Sequence, residues 1–500
     1  MDRVVIHPDT YLDSVLLLAA TRAMSALDGV EWATAAMATP ANVATLREQG
    51  FGDDALNGAT ANDLVLAVLS DDSDTVDSAL AAGDDALFSD RPAGAGTGPG
   101  SREQAPAPSI DEARRRLPEG NVAIVSVPGP FAALEAHRAL GAGLHVLLFS
   151  DNVPLDEEIE LKQRAVHLGL LVMGPGAGTA VLGGCGLGFA NVVAPGRVGV
   201  VAAAGTGAQE VMSLIDQWGD GCSQVIGVGG RDLSAAVGGL MAGAAVEALD
   251  ADDATDVILL VSKPPDADVA RRVMARASAT PVVAALIGLD TVDGINGIRS
   301  DTVITSTLEA GAAAAVAALG GSTPDDMAAL RAEIDAAGER LGDDQTLVHG
   351  LFSGGTLCYE ALGLLAVVLG QPVYSNTPLD ESHGLPAPDG THVCLDLGEE
   401  EFTQGRPHPM IDPEARIERL REVGGRSDVA VVLLDVVLGY GAHDDPAGTL
   451  APVCREIIAQ GGPAIVTYVL GTDGDPQGLD DQRRRLRDAG CVVAPTGARA

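Results

Sequence analysis

Two short stretches, 150 positions apart, carry the residue types that a small-anion site needs. Val200-Val-Ala-Ala-Ala-Gly205-Thr206-Gly207-Ala-Gln-Glu210 lines up with Gly350-Leu-Phe-Ser353-Gly354-Gly355-Thr356-Leu-Cys-Tyr-Glu360, matching the Gly-Thr pair and the glutamate after it. Each stretch lies between an apolar strand-like run and an apolar helix-like run. The small residues Gly205, Thr206 and Gly207 in one copy, and Ser353, Gly354, Gly355 and Thr356 in the other, let backbone approach a ligand. The unpaired N–H groups of a helix start then favour a phosphate or carboxylate. Two such turns facing each other across a pseudo-two-fold axis would aim both helix starts at one phosphate. The plain alternative is that βα turns need glycine for packing.

Further candidates cluster in sequence around loops that follow strands. Lys162 and Lys263 are the only lysines among 31 basic residues. Lys263 stands between an apolar run and Pro264-Pro265, where its ammonium would neutralise an acyl-phosphate dianion as a point charge. Arg231 and Arg406, each in a glycine-containing loop, have the fork that grips a carboxylate or phosphate, or serve as ordinary ion-pair partners. His408 is flanked by Pro407 and Pro409, a rigid setting for an acid/base or phosphate-contact imidazole and equally for a hydrogen-bonded loop histidine. His349, beside the second turn, is a weaker candidate. Asp435 ends an apolar strand, where open α/β sheets place ligands, and is expected to orient His408 or a substrate amide.

The elements that must position these residues follow one pattern: a short β-branched run, a small-residue turn, then an Ala/Leu-rich amphipathic stretch. Residues 122–126, 144–149, 198–202, 257–261, 429–435 and 464–469 each read as a strand feeding a helix. The fold class expected is α/β, with three doubly wound Rossmann/flavodoxin-like domains over 1–175, 176–321 and 322–500. The Pro/Gly/Ala/Ser-rich stretch 91–109 reads as a flexible insertion in the first.

Composition bounds the function. The 500 residues carry 70 acidic against 31 basic side chains, a net charge of −39. That balance repels a phosphate backbone and an anionic bilayer, so neither nucleic acid nor membrane is an expected partner. The acidic excess reads as a salt-adapted, halophilic surface. Cys185, Cys222, Cys358, Cys394, Cys454 and Cys491 are scattered without metal or disulfide spacing, so no metal is expected. With no apolar leader after Met1, the expected setting is cytoplasmic. A phosphate-binding lysine loop, a nucleophile elbow and a dinucleotide fingerprint are all missing, which demotes self-contained kinases, serine hydrolases and dehydrogenases.

Val127-Pro-Gly-Pro-Phe131, the run 141–149, Asn152-Val-Pro154 and Leu170-Leu-Val-Met-Gly174-Pro175 resemble the CoA-binding domain of succinyl-CoA synthetase alpha subunits. The run from Pro195 through Ile226-Gly-Val-Gly-Gly230 resembles the first ligase-type domain, and the last third of the chain its companion. Closer still is the resemblance to the FdrA family. Its markers are Phe149-Ser-Asp-Asn152, Gly227-Val-Gly-Gly-Arg231-Asp232-Leu233, Val261-Ser-Lys263-Pro-Pro265, the run 350–356 and Gly405-Arg406-Pro-His408-Pro-Met-Ile-Asp412-Pro. The resemblance implies a CoA-like pocket around Pro128, Asn152, Gly174 and Pro175, and a hetero-oligomer with other subunits.

Departures from that pattern decide what carries over. Enzymes of this superfamily relay phosphate through a histidine in a Gly-His-Ala-Gly loop, steadied by a glutamate. Here the loop reads Gly288-Leu-Asp-Thr-Val-Asp-Gly294-Ile-Asn-Gly297-Ile, and Ser262-Lys263-Pro264-Pro265 stands where the glutamate is expected. There is no ATP-grasp segment, and 174–178 lacks the polar residue and cysteine common in FdrA relatives. With no covalently bound cofactor expected, the ligand would be phosphate or carbamoyl phosphate, with CoA left open. Together with the family's link to oxamate carbamoyltransfer in purine catabolism, this favours a carbamoyltransferase subunit that uses a small acyl phosphate and carboxylate. The alternatives are a CoA-ligase subunit that uses His408 or a partner's histidine as phosphate carrier, and a non-catalytic scaffold.

Overall fold

The computed structural model describes residues 2–8, 10, 12, 14–27, 29–56, 58–88, 107–288, 302–324, 327–403 and 407–500. Two compact units emerge, one formed by 1–106 with 403–407, the other by 107–402 with 408–500.

In the first unit, strand Leu64–Ser70 runs antiparallel between Asp2–His7 and Val30–Met37, with Arg3 opposite Val68 and Thr34 opposite Ala67. Both faces of this small sheet are covered. Helices Ser14–Ser25 and Ser73–Phe88 bury Met24, Ala79 and Leu80 against Leu66 and Val68. Leu46, Phe51 and Leu56 close over Val65 and Ala67 on the other side. Gly83 is required at the first contact, because a methyl group there would lie 2.7 Å from the Met24 sulfur. The expectation of one Rossmann domain over 1–175 is therefore corrected: these residues form their own antiparallel α+β unit. Apolar periodicity reports which face of a strand is buried but not the direction of its neighbour. Most of the stretch 91–109 lies outside the described residues.

The second unit is doubly wound α/β, as expected. Strands Val122–Val125, His145–Leu148 and Val172–Met173 form a small parallel sheet. A seven-stranded sheet runs in the order Val303–Thr305, Val282–Leu286, Val257–Ser262, Pro195–Ala203, Cys222–Gly227, Thr179–Leu182, Cys185–Gly188, with Thr179–Leu182 alone antiparallel to the rest. A six-stranded, wholly parallel sheet runs Val373–Tyr374, His392–Asp396, Leu347–Phe352, Val429–Val437, Ala464–Leu470, Val492–Ala494. Their inner strands are buried on both faces, which is why Val257–Ser262 reads as a continuous apolar run.

The two repeated turns follow inner strands of the two larger sheets. Pro195–Ala203 feeds helix Gly205–Gln217, and Leu347–Phe352 feeds helix Gly355–Leu369. The repeat glutamates tie the copies together reciprocally. Glu360 accepts from the Leu308 amide at 2.6 Å, at the start of helix Leu308–Ala318, which follows the edge strand Val303–Thr305 of the seven-stranded sheet. Glu210 accepts from the Gly497 amide at 3.3 Å, just after the last strand of the six-stranded sheet. Among the described residues no helix is long and apolar enough to cross a membrane.

Candidate functional site

The two helix starts face each other. The amide of Thr356 donates to the hydroxyl of Thr206 across 3.2 Å. Ala204 and Gly354, the residues before each helix, are extended, and neither offers a side-chain oxygen to the leading amides. Glycine makes the approach feasible. A methyl on Gly207 would lie 2.9 Å from Thr356 Cγ2, and one on Gly354 would lie 2.8 Å from Thr206 Cγ2.

One of the turns is partly filled by the protein itself. Asp435 Oδ1 accepts from the Ser353 amide at 2.8 Å and from its hydroxyl at 3.0 Å, while Oδ2 accepts from the Gly354 amide at 2.7 Å. The Arg416 guanidinium, also buried, pairs with Asp435 Oδ1 at 3.1 Å and donates to its carbonyl. Burial pushes the Arg416 pKa down while Asp435 opposes that shift. This corrects the expected role of Asp435: its carboxylate caps the second turn. Of the seven residues expected to hold phosphate, Ser353, Gly354 and Thr356 thus have their amides in use, the first two by Asp435 and the third by Thr206.

Lys263 and Asp396 meet at Gly355. A methyl there would lie 3.1 Å from Lys263 Nζ and would collide with Asp396 Oδ2. Lys263 follows strand Val257–Ser262 and holds its ammonium 5.7 Å from the centre of the Tyr359 ring. Among the described residues no carboxylate lies within 4 Å of that ammonium. Asp396 ends strand His392–Asp396, its main chain gripped by Asn376 in both directions at 2.9 Å and its Oδ1 taking the Gly398 amide at 3.0 Å. Burial raises its carboxyl to about 6, against the pull of Lys263.

His408 completes the wall. Its Nδ1 accepts the Met410 amide at 3.2 Å, and its ring lies 6.0 Å from that of Phe189. A methyl on Gly398 would sit 2.7 Å from His408 Nε2, 3.1 Å from the Ser353 carbonyl and 3.2 Å from Asp396 Oδ1. Burial lowers the imidazole to about 4, although Asp435 pulls the other way.

Other candidates lie elsewhere. Arg231 is an ion-pair partner: its Nε pairs with Glu158 at 2.8 Å and its Nη2 donates to the Val153 carbonyl. It thereby braces helix Leu155–Leu168 beside the wholly buried Lys162, which binds Glu158 and Asp232 at 2.8 Å each. The expectation of a catalytic Arg231 is corrected accordingly. Arg406 and the loop 289–301 lie outside the described residues. His349 is buried within strand Leu347–Phe352, its pKa lowered to about 4 by desolvation first and Arg426 second. Pro128, Asn152, Gly174 and Pro175 gather at the carboxyl ends of the three-stranded sheet. A methyl on Gly129 would lie 2.6 Å from the Asn152 carbonyl oxygen, and one on Gly229 2.8 Å from that of Pro175.

Sequence reasoning missed Asp396 and Arg416. Asp396 ends a strand as Asp435 does, so the same rule would have found it, but its strand is short and only alternately buried. Arg416 sits in the charged run of helix Glu414–Gly424, where nothing local distinguishes a buried arginine from its exposed neighbours.

A family model described as CoA-ligase matches residues 351–500, and one described as AllF, heavy metal-associated domain, matches residues 1–105. The protein of Escherichia coli (strain K12) named uncharacterized protein YahF is 40% identical over 511 residues, spanning 98% of this chain and 96% of its own. The chain belongs to the FdrA family. This FdrA protein is also 27% identical to the succinate–CoA ligase [ADP-forming] subunit alpha 2 of Archaeoglobus fulgidus over 255 residues, 48% of this chain and 87% of that one. The ADP-forming sulfoacetate-CoA ligase subunit SauD of Bilophila wadsworthia is 27% identical over 195 residues, 37% of this chain and 65% of that one. The FdrA chain is thus succinyl-CoA-synthetase-alpha-like.

A heavy metal-associated domain over 1–105 would need soft ligands. That stretch has no cysteine and one histidine, His7, which faces Asp84 at 3.0 Å. Among the described residues no group of three or more His, Cys, Asp or Glu could hold a metal ion. These residues do not fit a soft metal, which needs thiolate or imidazole ligands.

Proposed function

We propose that this chain is a subunit of an acid–thiol ligase of the acyl-CoA synthetase type, holding the phosphate of a small acyl phosphate beside the joined Gly205 and Gly355 helix starts, next to Lys263. One observation carries the reading: the Lys263 ammonium stands at Gly355 with no carboxylate within 4 Å among the described residues. In a chain with 70 acidic side chains, a half-buried cation with no ion-pair partner within 4 Å among the described residues suits an anion supplied from outside. The facing helix starts add oriented amides and partial positive charge to the same place.

In this reading, Lys263 and the free amides stabilise the phosphate that leaves when a thiol attacks the acyl carbon, an electrostatic contribution to the transition state. CoA would supply that thiol from the pocket of Pro128, Asn152, Gly174 and Pro175. A partner subunit would bring the nucleotide, and the free thiols suit a reducing, cytoplasmic setting. The CoA-ligase match and the ligase relatives support this reading over carbamoyl transfer, to which none of their names points.

Calorimetric titration of the chain with inorganic phosphate tests the cradle. Lys263→Gln is expected to weaken phosphate at least about tenfold, the value of a charge-assisted contact. Equal affinity in both proteins would remove the reading. With the partner subunits present, nucleotide- and CoA-dependent thioester formation is expected; phosphate release from carbamoyl phosphate plus oxamate, without thioester, would restore the transferase instead.

A further inference from the structure

We propose that His408 serves this cradle as a neutral imidazole donating a hydrogen bond from Nε2, and is not itself the phosphate carrier. The inference rests on the phosphate site proposed above and assigns the histidine a role in it.

The argument starts at the other ring nitrogen. Nδ1 accepts the Met410 amide, which is a fixed donor, so Nδ1 must keep its lone pair and the single proton of the neutral ring sits on Nε2. A phosphate carrier at Nε2 needs the reverse: a lone pair on Nε2 and a proton on Nδ1 handed to an acceptor. Turning the ring over would place a carbon against the Met410 amide and leave that donor without its partner. Phe189 packs beside the ring and opposes such a turn.

Nε2 points where a donor is useful. It meets the space over Gly398, where a methyl group would lie 2.7 Å from Nε2, 3.1 Å from the Ser353 carbonyl and 3.2 Å from Asp396 Oδ1, and Asp396 in turn borders the Gly355 helix start. The absence of a side chain at Gly398 keeps that approach open. An anion at Gly355 would then meet an ammonium from Lys263 and an N–H from His408. Among the described residues, Asp396 and Asp435 are the titratable groups on this side of the ring, and burial outweighs the pull of Asp435, keeping the imidazole uncharged near pH 7.

The experiment reads the tautomer directly. In the full chain labelled with 15N-histidine, ring nitrogen–carbon-proton correlations, assigned by their loss in His408→Gln, are expected at pH 7 to show Nε2 protonated and Nδ1 bare. A proton on Nδ1, or on both nitrogens, overturns the proposal. Titration with inorganic phosphate is expected to move the Nε2 resonance. His408→Gln, which places an amide N–H near the Nε2 position, should bind phosphate within about threefold of the parent, whereas His408→Ala should lose about tenfold. An acid-labile, base-stable phosphate on His408 after incubation of the assembled complex with nucleotide would also overturn it. The tautomer is read without ligand, so a failed phosphate titration in the parent protein indicts the cradle rather than this assignment.

Discussion

The Thr356 amide and the Thr206 hydroxyl, 150 residues apart in the chain and equivalent in the two repeats, are hydrogen-bonded to each other at 3.2 Å. The contact is asymmetric, because one copy supplies backbone and the other a side chain. It pins the two helix starts together beside the cluster of Lys263, Asp396 and His408. Thr206→Val keeps the volume but leaves a buried amide without its partner. A loss of about 1–3 kcal/mol in denaturant unfolding is expected; an unchanged midpoint would mean that the hydroxyl contributes nothing to this contact.

Gly205 and Gly355 occupy the same position in the repeat and should answer differently to one methyl group. Nothing lies within 4 Å of a Cβ added at Gly205, while at Gly355 it would strike Asp396 Oδ2. Gly205→Ala is expected to leave stability within about 0.5 kcal/mol of the parent. Gly355→Ala should displace the carboxylate, cost about 1–3 kcal/mol as an overpacked site, and weaken phosphate. Thermal unfolding and titration of both variants check the contrast.

Lys162 holds two fully buried carboxylates, Glu158 and Asp232, and Asp232 also takes the Met241 and Ala242 amides at 3.2 and 2.8 Å. Lys162→Met would leave Asp232 without its cation and Glu158 with Arg231 alone. An expected loss of about 3–5 kcal/mol follows from removing one partner of a buried pair. Arg231→Ala removes a half-exposed side chain and should cost less. Comparing denaturation midpoints decides between them, and equal losses would contradict the burial argument.

Glu210 and Glu360 make stability depend on pH. Burial raises Glu210 to about 8 and Glu360 to about 7, from an ordinary value of 4.5. Between pH 4.5 and those values the folded protein holds protons that the unfolded chain has released. Stability is therefore greatest below that window and falls as pH rises through it. Glu210→Gln should flatten the melting temperature between about pH 5 and 8 and raise it most at the alkaline end. Glu360→Gln should do so up to about pH 7, since its amide oxygen can still accept from Leu308. Profiles parallel to that of the parent would refute the assignment.

The sequence by itself determined that the larger unit is α/β, that two glycine-lined helix starts are repeated at an offset of 150, and that Lys263 stands at the end of an inner strand. Those features are local, since side-chain periodicity, turn chemistry and residue scarcity all act within a few positions. Only the tertiary structure decided that the first 88 residues pair antiparallel, that Asp435 with Arg416 occupies the Ser353 and Gly354 amides, and that Arg231 is committed to Glu158. It also brought Asp396 to Lys263. The reason is electrostatic bookkeeping across sheets: a buried charge is held by whichever partner the fold brings to the neighbouring strand end, and that partner can lie anywhere in the chain.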